Sequence, residues 1–507
     1  MTDKKIFTME ELDTIPLYKL RLILRSLSGT PSNKSASEIK NEILQIQEGA
    51  LVPTPTNRGR KPKASEKQSV TFNDDGDVDL TVPEEDPTTA SHIRGSGPKY
   101  KFDTKKSDDI YYEDGVYVPI QVRMAETSDV LIETVIASGI LEILPEGFGF
   151  LRTCFYGDKR KDFYVDRQII KDYNLKTGDY LIGFAKKRPE KRPDQTDLYI
   201  TSVEKINGIE AYSHRRLFDF EYATAIYPKK SLISDSETDK TVRAIDLMVP
   251  IGKGQRGLIV APPKTGKTTL LKKLARAIKE NDRNLHVMIL LIDERPEEVS
   301  DFVESLSGCE IIASTFDKSA ERHIKFAEMA IERAKRLVEH GRHVVVLMDS
   351  ITKLARAYNT VIPGSGKTLS GGLESKALTQ AKKLFGAARN LKEGGSLTVI
   401  ATALIDTGSR MDDIIFEEFK GSGNMDVVLS RELAQKRIFP AIDLYHSGTR
   451  KEELILSEEK LQASYKIRKL LEDRENATEI FLEMLRISEN NEDFLRKLDG
   501  WLKAIYS

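Results

Sequence analysis

An apolar strand, Gly257-Leu-Ile-Val260, runs directly into the loop Ala261-Pro-Pro-Lys264-Thr265-Gly266-Lys267-Thr268, which opens a helix expected over Thr268–Lys279. This junction constrains the chain more than any other feature. Backbone N–H groups at a helix N-terminus, reached through a loop after a buried strand, form a cradle for phosphate. Gly266 lets the backbone approach the anion, Lys267 reaches β and γ oxygens, and the Thr268 hydroxyl holds magnesium. The loop implies binding and hydrolysis of a nucleoside triphosphate. One position departs from the G-x-x-x-x-G-K-[ST] pattern: Ala261 stands where glycine is usual, and a positive φ there would be strained.

The surrounding chain repeats the strand–helix alternation. Val287–Ile292, Val344–Met348, Leu397–Leu404 and Met425–Leu429 are apolar runs separated by helical stretches. Such runs predict a parallel sheet covered on both faces, with ligands at the C-terminal ends of its strands. Asp349 ends one strand, in Walker B form, and is expected to position magnesium through water; a helix N-cap is the plainer alternative. Asp293-Glu294 ends another, and Glu294 is chosen as the carboxylate that polarises the attacking water, against a simple salt bridge with Arg295. Arg437 and Arg450 flank Phe439-Pro-Ala-Ile-Asp443. Either is a candidate arginine finger and Phe439 a candidate base-stacking ring, although arginines are commonly just exposed.

The 507-residue chain predicts roughly three domains at about 150 residues each. Formal net charge is -1, so any nucleic-acid binding has to come from local patches. Cys154 and Cys309 are the only cysteines, too few for a disulfide framework or a zinc site. The N-terminus leads into no apolar signal core, and the longest aliphatic run, Val287–Ile292, is far short of the ~20 residues a membrane span needs. A cytoplasmic protein is expected. Residues 7–48 show helical spacing and two capping boxes. Residues 50–125 carry a basic block, Arg58–Lys63, then an acidic one, Asp74–Asp77, and read as a disordered linker. Residues 451–507 read as charged helices.

Between 130 and 207, short strands with turn signals predict a small barrel. In it, Gly147-Phe148-Gly149-Phe150-Leu151-Arg152 places aromatics at period two. That spacing alone does not separate a core from a stacking platform; the glycine–aromatic pattern favours unpaired RNA bases on the rings and Arg152 on a phosphate. Two further stretches read as mobile polar loops able to grip a phosphate backbone: Thr360–Gly372, carrying Lys367, and Ile405–Asp413, carrying Arg410.

With these motifs in place, the chain resembles the bacterial transcription termination factor Rho family. The resemblance rests on Pro250–Thr268, Leu291–Glu298, Asp349–Asn359, Phe385–Asn390, Phe419–Asn424, Phe439–Asp443 and Ser447–Glu453, with the barrel motif at 147–152. It implies a multidomain fold: an N-terminal helical module (1–48), a linker (49–129), an OB-fold, cold-shock-like β-barrel (130–210), and a RecA-like α/β P-loop ATPase domain (211–507). It also assigns roles. Phe148, Phe150, Arg152 and Tyr164 match the primary RNA site for pyrimidine-rich single strands. Lys264, Thr265, Gly266, Lys267, Thr268 and Thr269 match the phosphate loop, and Asp349 the Mg2+ residue. Glu294 matches the catalytic glutamate, with Arg295 beside it at the nucleotide. Arg450 matches an arginine finger acting across a subunit boundary, with Arg437 beside it as γ-phosphate sensor, and Phe439 the adenine-stacking ring. Lys367 and Thr368 fall in the family's pore loop and Arg410 in a second one; the family often has Val and Lys where Thr368 and Arg410 stand. Ala261 agrees with the family.

The resemblance implies a homohexameric ring that hydrolyses ATP to translocate 5'-3' on RNA, unwinds RNA–DNA hybrid and dissociates the RNA polymerase elongation complex. Two rival readings are a RecA- or rotary-type ATPase of another role and an RNA-binding protein without turnover. The first leaves the aromatic barrel strand unexplained; the second is at odds with Lys267, Glu294, Asp349 and Arg450 all being present.

Overall fold

The computed structural model describes residues 134–153, 162–187, 198–364, 368–474 and 476–506, with short pieces at 40–41, 71–72, 78–79, 112–113 and 116–117. The helical module and linker expected before residue 130 therefore lie almost wholly outside the described residues, as does Cys154. Backbone contacts divide the chain at Asp103 and Thr104, and the barrel and the large sheet both belong to the second unit, Thr104–Ser507.

Five strands close a barrel: β1 (Thr134–Ile143), β2 (Gly149–Arg152), β3 (Phe163–Val165), β4 (Tyr180–Lys187) and β5 (Leu198–Ile206). Their order around it is β1-β2-β3-β5-β4 and back to β1. All pairings are antiparallel except β3 with β5, and a short helix, α1 (Arg167–Asp172), links β3 to β4. This is the small OB-type barrel expected from the sequence. Its interior is filled by Ala137, Leu141, Leu151, Phe163, Val165, Leu181, Ile200 and Val203.

The α/β part begins with α2 (Lys240–Met248). After it come β6 (Arg256–Ala261), α3 (Lys267–Asn281), β7 (His286–Glu294), α4 (Pro296–Ser305), β8 (Glu310–Thr315) and α5 (Ala320–Val338). β9 (His343–Asp349), α6 (Ile351–Val361), α7 (Ser375–Phe385), β10 (Arg389–Leu391), β11 (Ser396–Leu404) and α8 (Arg410–Lys420) continue the alternation. β12 (Met425–Leu429), α9 (Arg431–Gln435) and β13 (Ile442–Thr449) complete the sheet. Its main path runs β8-β7-β9-β11-β6-β12-β13, parallel up to β12 and antiparallel at β13. One face packs against α2, α3 and α4, the other against α5, α6, α7 and α8, which is why the central strands are apolar on both sides. β8 and β13, which the sequence reading passed over, are the two ends of this path.

The C-terminal helices α10 (Glu458–Asp473), α11 (Ala477–Ile487) and α12 (Asn491–Tyr506) extend the first face. A buried guanidinium on α2 fastens the junction of α11 and α12, while Lys460 and Arg468 of α10 reach Asp246 and the Met248 carbonyl. Arg243 on α2 donates to the carbonyls of Leu485 (2.8 Å), Ser488 (2.7 Å) and Asn490 (2.8 Å), to Ser488 Oγ (2.6 Å) and to Asn491 Oδ1 (3.1 Å). Arg243 thus helps satisfy the carbonyls at and just past the end of α11, where Leu485 also accepts from Ser488 Oγ at 3.2 Å. Arg243→Ala strands several buried acceptors and is expected to cost about 3–5 kcal/mol in urea unfolding of the full chain. A loss under about 1 kcal/mol would mean that apolar packing alone docks these helices.

Candidate functional site

The parallel sheet brings its charged groups to one edge. β6 delivers the loop, and α3 begins after Gly266, which sits in the left-handed region at φ 89° with no side chain capping the helix. The free N–H groups of this first turn face the space where a phosphate is expected. Thr265 is buried and its hydroxyl donates to the Pro262 carbonyl at 2.8 Å, closing the loop on itself. Lys264 is exposed with φ 66°. Positive φ therefore falls on Lys264 and Gly266, while Ala261 is the last residue of β6, paired with Leu404. An alanine at 261 carries no strain, which gives its presence a physical reason. Thr268 is half-buried in the first turn of α3, and Thr269 is exposed.

Lys267 Nζ donates to Asp349 Oδ1 at 2.7 Å. The strand β11 lies between β6 and β9, so the lysine reaches across one strand to make this contact. From that intervening strand, Thr402 donates to the same carboxylate oxygen at 2.7 Å. The other oxygen, Asp349 Oδ2, is buried without a hydrogen-bond partner. Burial is the largest single influence and works to discharge Lys267, but the Asp349 carboxylate, joined by Glu294 and Glu298, outweighs it, and the ammonium's pKa lies above its usual 10.5. Thr402 was missed by sequence reasoning, because its partner lies 53 residues away.

Spacing could not choose on geometry between Asp293 and Glu294. A bulge in β7, with Asp293 at φ 56°, sets the two carboxylates apart. It leaves the Asp293 side chain 42% exposed and turns Glu294 inward to 6%. Burial first, and the Asp349 carboxylate second, raise the Glu294 pKa above the ordinary 4.5. Lys353 opposes them: its Nζ donates to Glu294 Oε2 at 2.6 Å and to the Asp293 carbonyl at 2.8 Å. Lys353 also escaped the sequence reading, although its place four residues after Asp349, on the helix that follows β9, was a usable signal. Arg295 is exposed at the N-cap of α4 and makes no cap hydrogen bond through its side chain.

The ring of Phe439 lies over the phosphate loop: a Cβ placed on Gly266 would stand 3.8 Å from its Cε1. Phe439 is 41% exposed and lines a cleft of about 510 Å³ with Arg437, Lys240 and Leu482. Arg437 follows β12 at its C-terminal end, on the loop's own edge of the sheet. Arg450 does not lie beside it. β13 runs antiparallel, Thr449 pairs with Met425 at the start of β12, and Met425 pairs with Gly257 at the start of β6. Arg450 thus sits exposed at the opposite edge, with Gly257 to Ala261 alone spanning ~13 Å of strand. The strand direction thus separates Arg450 from Arg437, which the resemblance had put beside it.

On the barrel, Leu151 points into the core while Phe148, Phe150, Arg152 and Tyr164 stay half-buried on the outer face. Phe148, Phe150 and Tyr164 form a three-ring cluster with centroids 5.5, 5.8 and 6.0 Å apart. The Arg152 guanidinium lies 5.0 Å over the Phe150 ring and is held by the carboxylates of Glu142 and Asp162. Neither carboxylate was anticipated. These phenylalanines therefore lie outside the barrel core.

Lys367 lies outside the described residues. Thr368 begins a two-residue strand, Thr368–Leu369, that pairs back on Leu373–Glu374. Arg410 is the first residue of α8 and is exposed. The two glycine-bearing loops meet: a Cβ on Gly371 would lie 3.1 Å from the Met411 nitrogen. α6 holds both, Asn359 Nδ2 donating to the Gly372 carbonyl (3.2 Å) and Arg356 Nε to the buried Asp412 (2.8 Å).

Among the described residues, no group of three or more His, Cys, Asp or Glu side chains gathers as a metal site, and no helix is long and apolar enough to cross a membrane. The orphaned carboxylate oxygen on Asp349 is a hard oxygen donor beside the expected phosphates. That fits a divalent cation whose other ligands are phosphate, hydroxyl and water.

Known proteins share both halves of this arrangement. Residues 137–211 match the family model "Rho termination factor, RNA-binding domain", and residues 241–449 match "ATP synthase alpha/beta family, nucleotide-binding domain". Transcription termination factor Rho of Bacillus subtilis is 48% identical over 385 residues, covering 75% of this chain and 88% of that protein. That of Haemophilus influenzae is 50% identical over 370 residues, covering 71% and 87%. That of Cereibacter sphaeroides is 48% identical over 369 residues, covering 71% and 86%. A nucleotide-binding domain that hydrolyses ATP and an RNA-binding barrel thus stand in one polypeptide, and the chain belongs to the transcription termination factor Rho family.

Proposed function

We propose that this termination factor is an ATP-driven 5'-3' RNA translocase and RNA–DNA helicase, working as a homohexameric ring on the RNA of a transcribing RNA polymerase. The observation that carries the ring is the placement of Arg450. An exposed arginine on the sheet edge opposite its own phosphate loop is suited to a neighbour's nucleotide, and head-to-tail repetition of that contact closes a cycle. Arg437, on the loop's own edge, then reads the γ-phosphate in cis, and Phe439 stacks on the base. Lys264, Lys267 and the first turn of α3 bind the phosphates. A magnesium ion bound through Asp349 Oδ2 and the Thr268 hydroxyl would neutralise phosphate charge. Glu294, ionised, takes a proton from water as it attacks the γ-phosphorus, and Lys353 holds that carboxylate in place.

RNA enters on the barrel. The three rings offer stacking faces to unpaired bases. Beside them Arg152 supplies donors and Asp162 and Glu142 supply acceptors. Cytosine, which presents an N4 donor next to its N3 and O2 acceptors, complements such a pair, and this supports a pyrimidine preference. Lys367, Thr368 and Arg410 then grip the strand in the pore. Both loops hang on α6, whose N-terminal end carries Lys353 against Glu294, so a change at the γ-phosphate reaches them through one helix.

Two experiments test this reading. Phe150→Ala is expected to weaken binding of oligocytidine RNA by ~5- to 150-fold, the range of one lost stacking contact, with the fold intact by circular dichroism. Unchanged affinity, or RNA-free DNA stimulating hydrolysis as well as RNA does, would remove the barrel face from the mechanism. The second is the pH profile of RNA-stimulated hydrolysis. Glu294→Gln is expected to lose at least ~100-fold in turnover. In the parent, the acid limb reports a base that must be ionised and whose pKa lies above 4.5. Lys353→Met removes a cation that lowers that pKa, so the limb moves to higher pH; a limb that stays put or moves down contradicts the assignment.

A further inference from the structure

Helix α5 presents one unbroken stripe to the barrel. Lys325, Met329 and Arg333 recur at i, i+4 and i+8, the spacing of one helix face. Met329 packs with Ile140 and Tyr180 of the barrel. Arg333 Nη1 donates to Asn207 Oδ1 at 2.6 Å, and its guanidinium stands 5.3 Å over the Tyr180 ring. Gly178, at φ 95°, brings the barrel backbone so close that a Cβ there would collide with the Glu332 carbonyl carbon. Backbone contact of that kind leaves no room for sliding. The opposite face of α5, through Phe326, Ala330 and Ala334, belongs to the core that contains Met288, Leu290 and Ile292 of β7. One helix therefore packs on the barrel with one side and on the strand that ends in Glu294 with the other.

The first turns of α5 connect the two sites more closely. Lys325 Nζ lies 2.8 Å from Glu142 Oε2, the same oxygen that holds Arg152. Near the start of the same helix, His323 Nδ1 shares a hydrogen with Ser314 Oγ at 2.7 Å, and its Nε2 faces Asp293 Oδ1 at 3.9 Å, next to Glu294. We propose that Lys325 is a positioning residue through which RNA on the barrel accelerates ATP hydrolysis. RNA that engages Arg152 changes what Glu142 must balance, the Glu142–Lys325 pair passes that change to the start of α5, and α5 bears on Asp293 and Glu294. The inference rests on reading Arg152 as an RNA contact. It concerns a route inside one subunit, separate from the pore loops.

Lys325 is 41% exposed at its side chain, so replacing it leaves the fold intact. The test uses the full chain and oligocytidine RNA, measuring affinity by anisotropy and hydrolysis both without RNA and at saturating RNA. Lys325→Met is expected to keep RNA affinity and the RNA-free rate, while the stimulation at saturation falls ~2- to 5-fold, the range a partly exposed ion pair supports. Lys325→Arg is expected to restore it. Full stimulation in Lys325→Met, or a loss equal to that of the RNA-free rate, overturns the proposal. Arg152→Ala serves as the separating arm and is expected to weaken RNA binding. If it binds RNA as the parent does, the RNA reading of Arg152 falls and takes this route with it; if it loses binding while Lys325→Met stimulates fully, only the route falls.

Discussion

A parallel sheet covered on both faces has nowhere to place charge except at the ends of its strands. Everything functional in the ATPase half of this chain depends on that constraint. The Lys267–Asp349 contact is its clearest product: a lysine from the helix after β6 and a carboxylate ending β9 meet above β11, with Thr402 of β11 between them. Burial raises the strength of such a pair and the cost of leaving it unmatched. The site is thus charged and balanced before any nucleotide arrives, with one carboxylate oxygen of Asp349 still unpartnered.

The same sheet explains why one chain does not complete the proposed site. Reversing the last strand, β13, carries Arg450 away from the phosphate loop that precedes it in sequence. In the proposed ring, an arginine so placed is the one that reaches the loop of the next copy. The barrel, in turn, is bolted to α5 by close backbone contact at Gly178 and by the Arg333–Asn207 and Arg333–Tyr180 contacts. RNA-binding surface and catalytic strand thereby share a rigid neighbour, which permits small displacements at one to be felt at the other.

Most of the architecture was readable from the sequence because its signals are local. The five apolar runs of the central sheet came through within a residue or two, since a strand buried on both faces is mostly apolar and admits polar residues such as Thr402 only where they find a hydrogen-bond partner. β8 and β13 were overlooked for the converse reason: at the ends of the sheet their polar residues, such as Ser314 and Asp443, break the pattern. At the site, Lys267, Glu294 and Asp349 were legible because each closes a strand or opens a helix. What stayed hidden was pairing between distant segments. Thr402 on Asp349 and Glu142 on Arg152 leave no trace in spacing. Direction was hidden too: Arg437 and Arg450 look like neighbours at 13 residues apart, and only an antiparallel strand between them sends them to opposite edges.

The central claim is that each ATP is hydrolysed between two copies of the chain. Mixing two inactive variants, Lys267→Ala and Arg450→Ala, tests it most directly. In a randomly mixed ring about a quarter of the boundaries join an intact phosphate loop to an intact Arg450. The account predicts RNA-dependent hydrolysis in the mixture well above the sum of the two variants alone. A mixture no more active than that sum would contradict it.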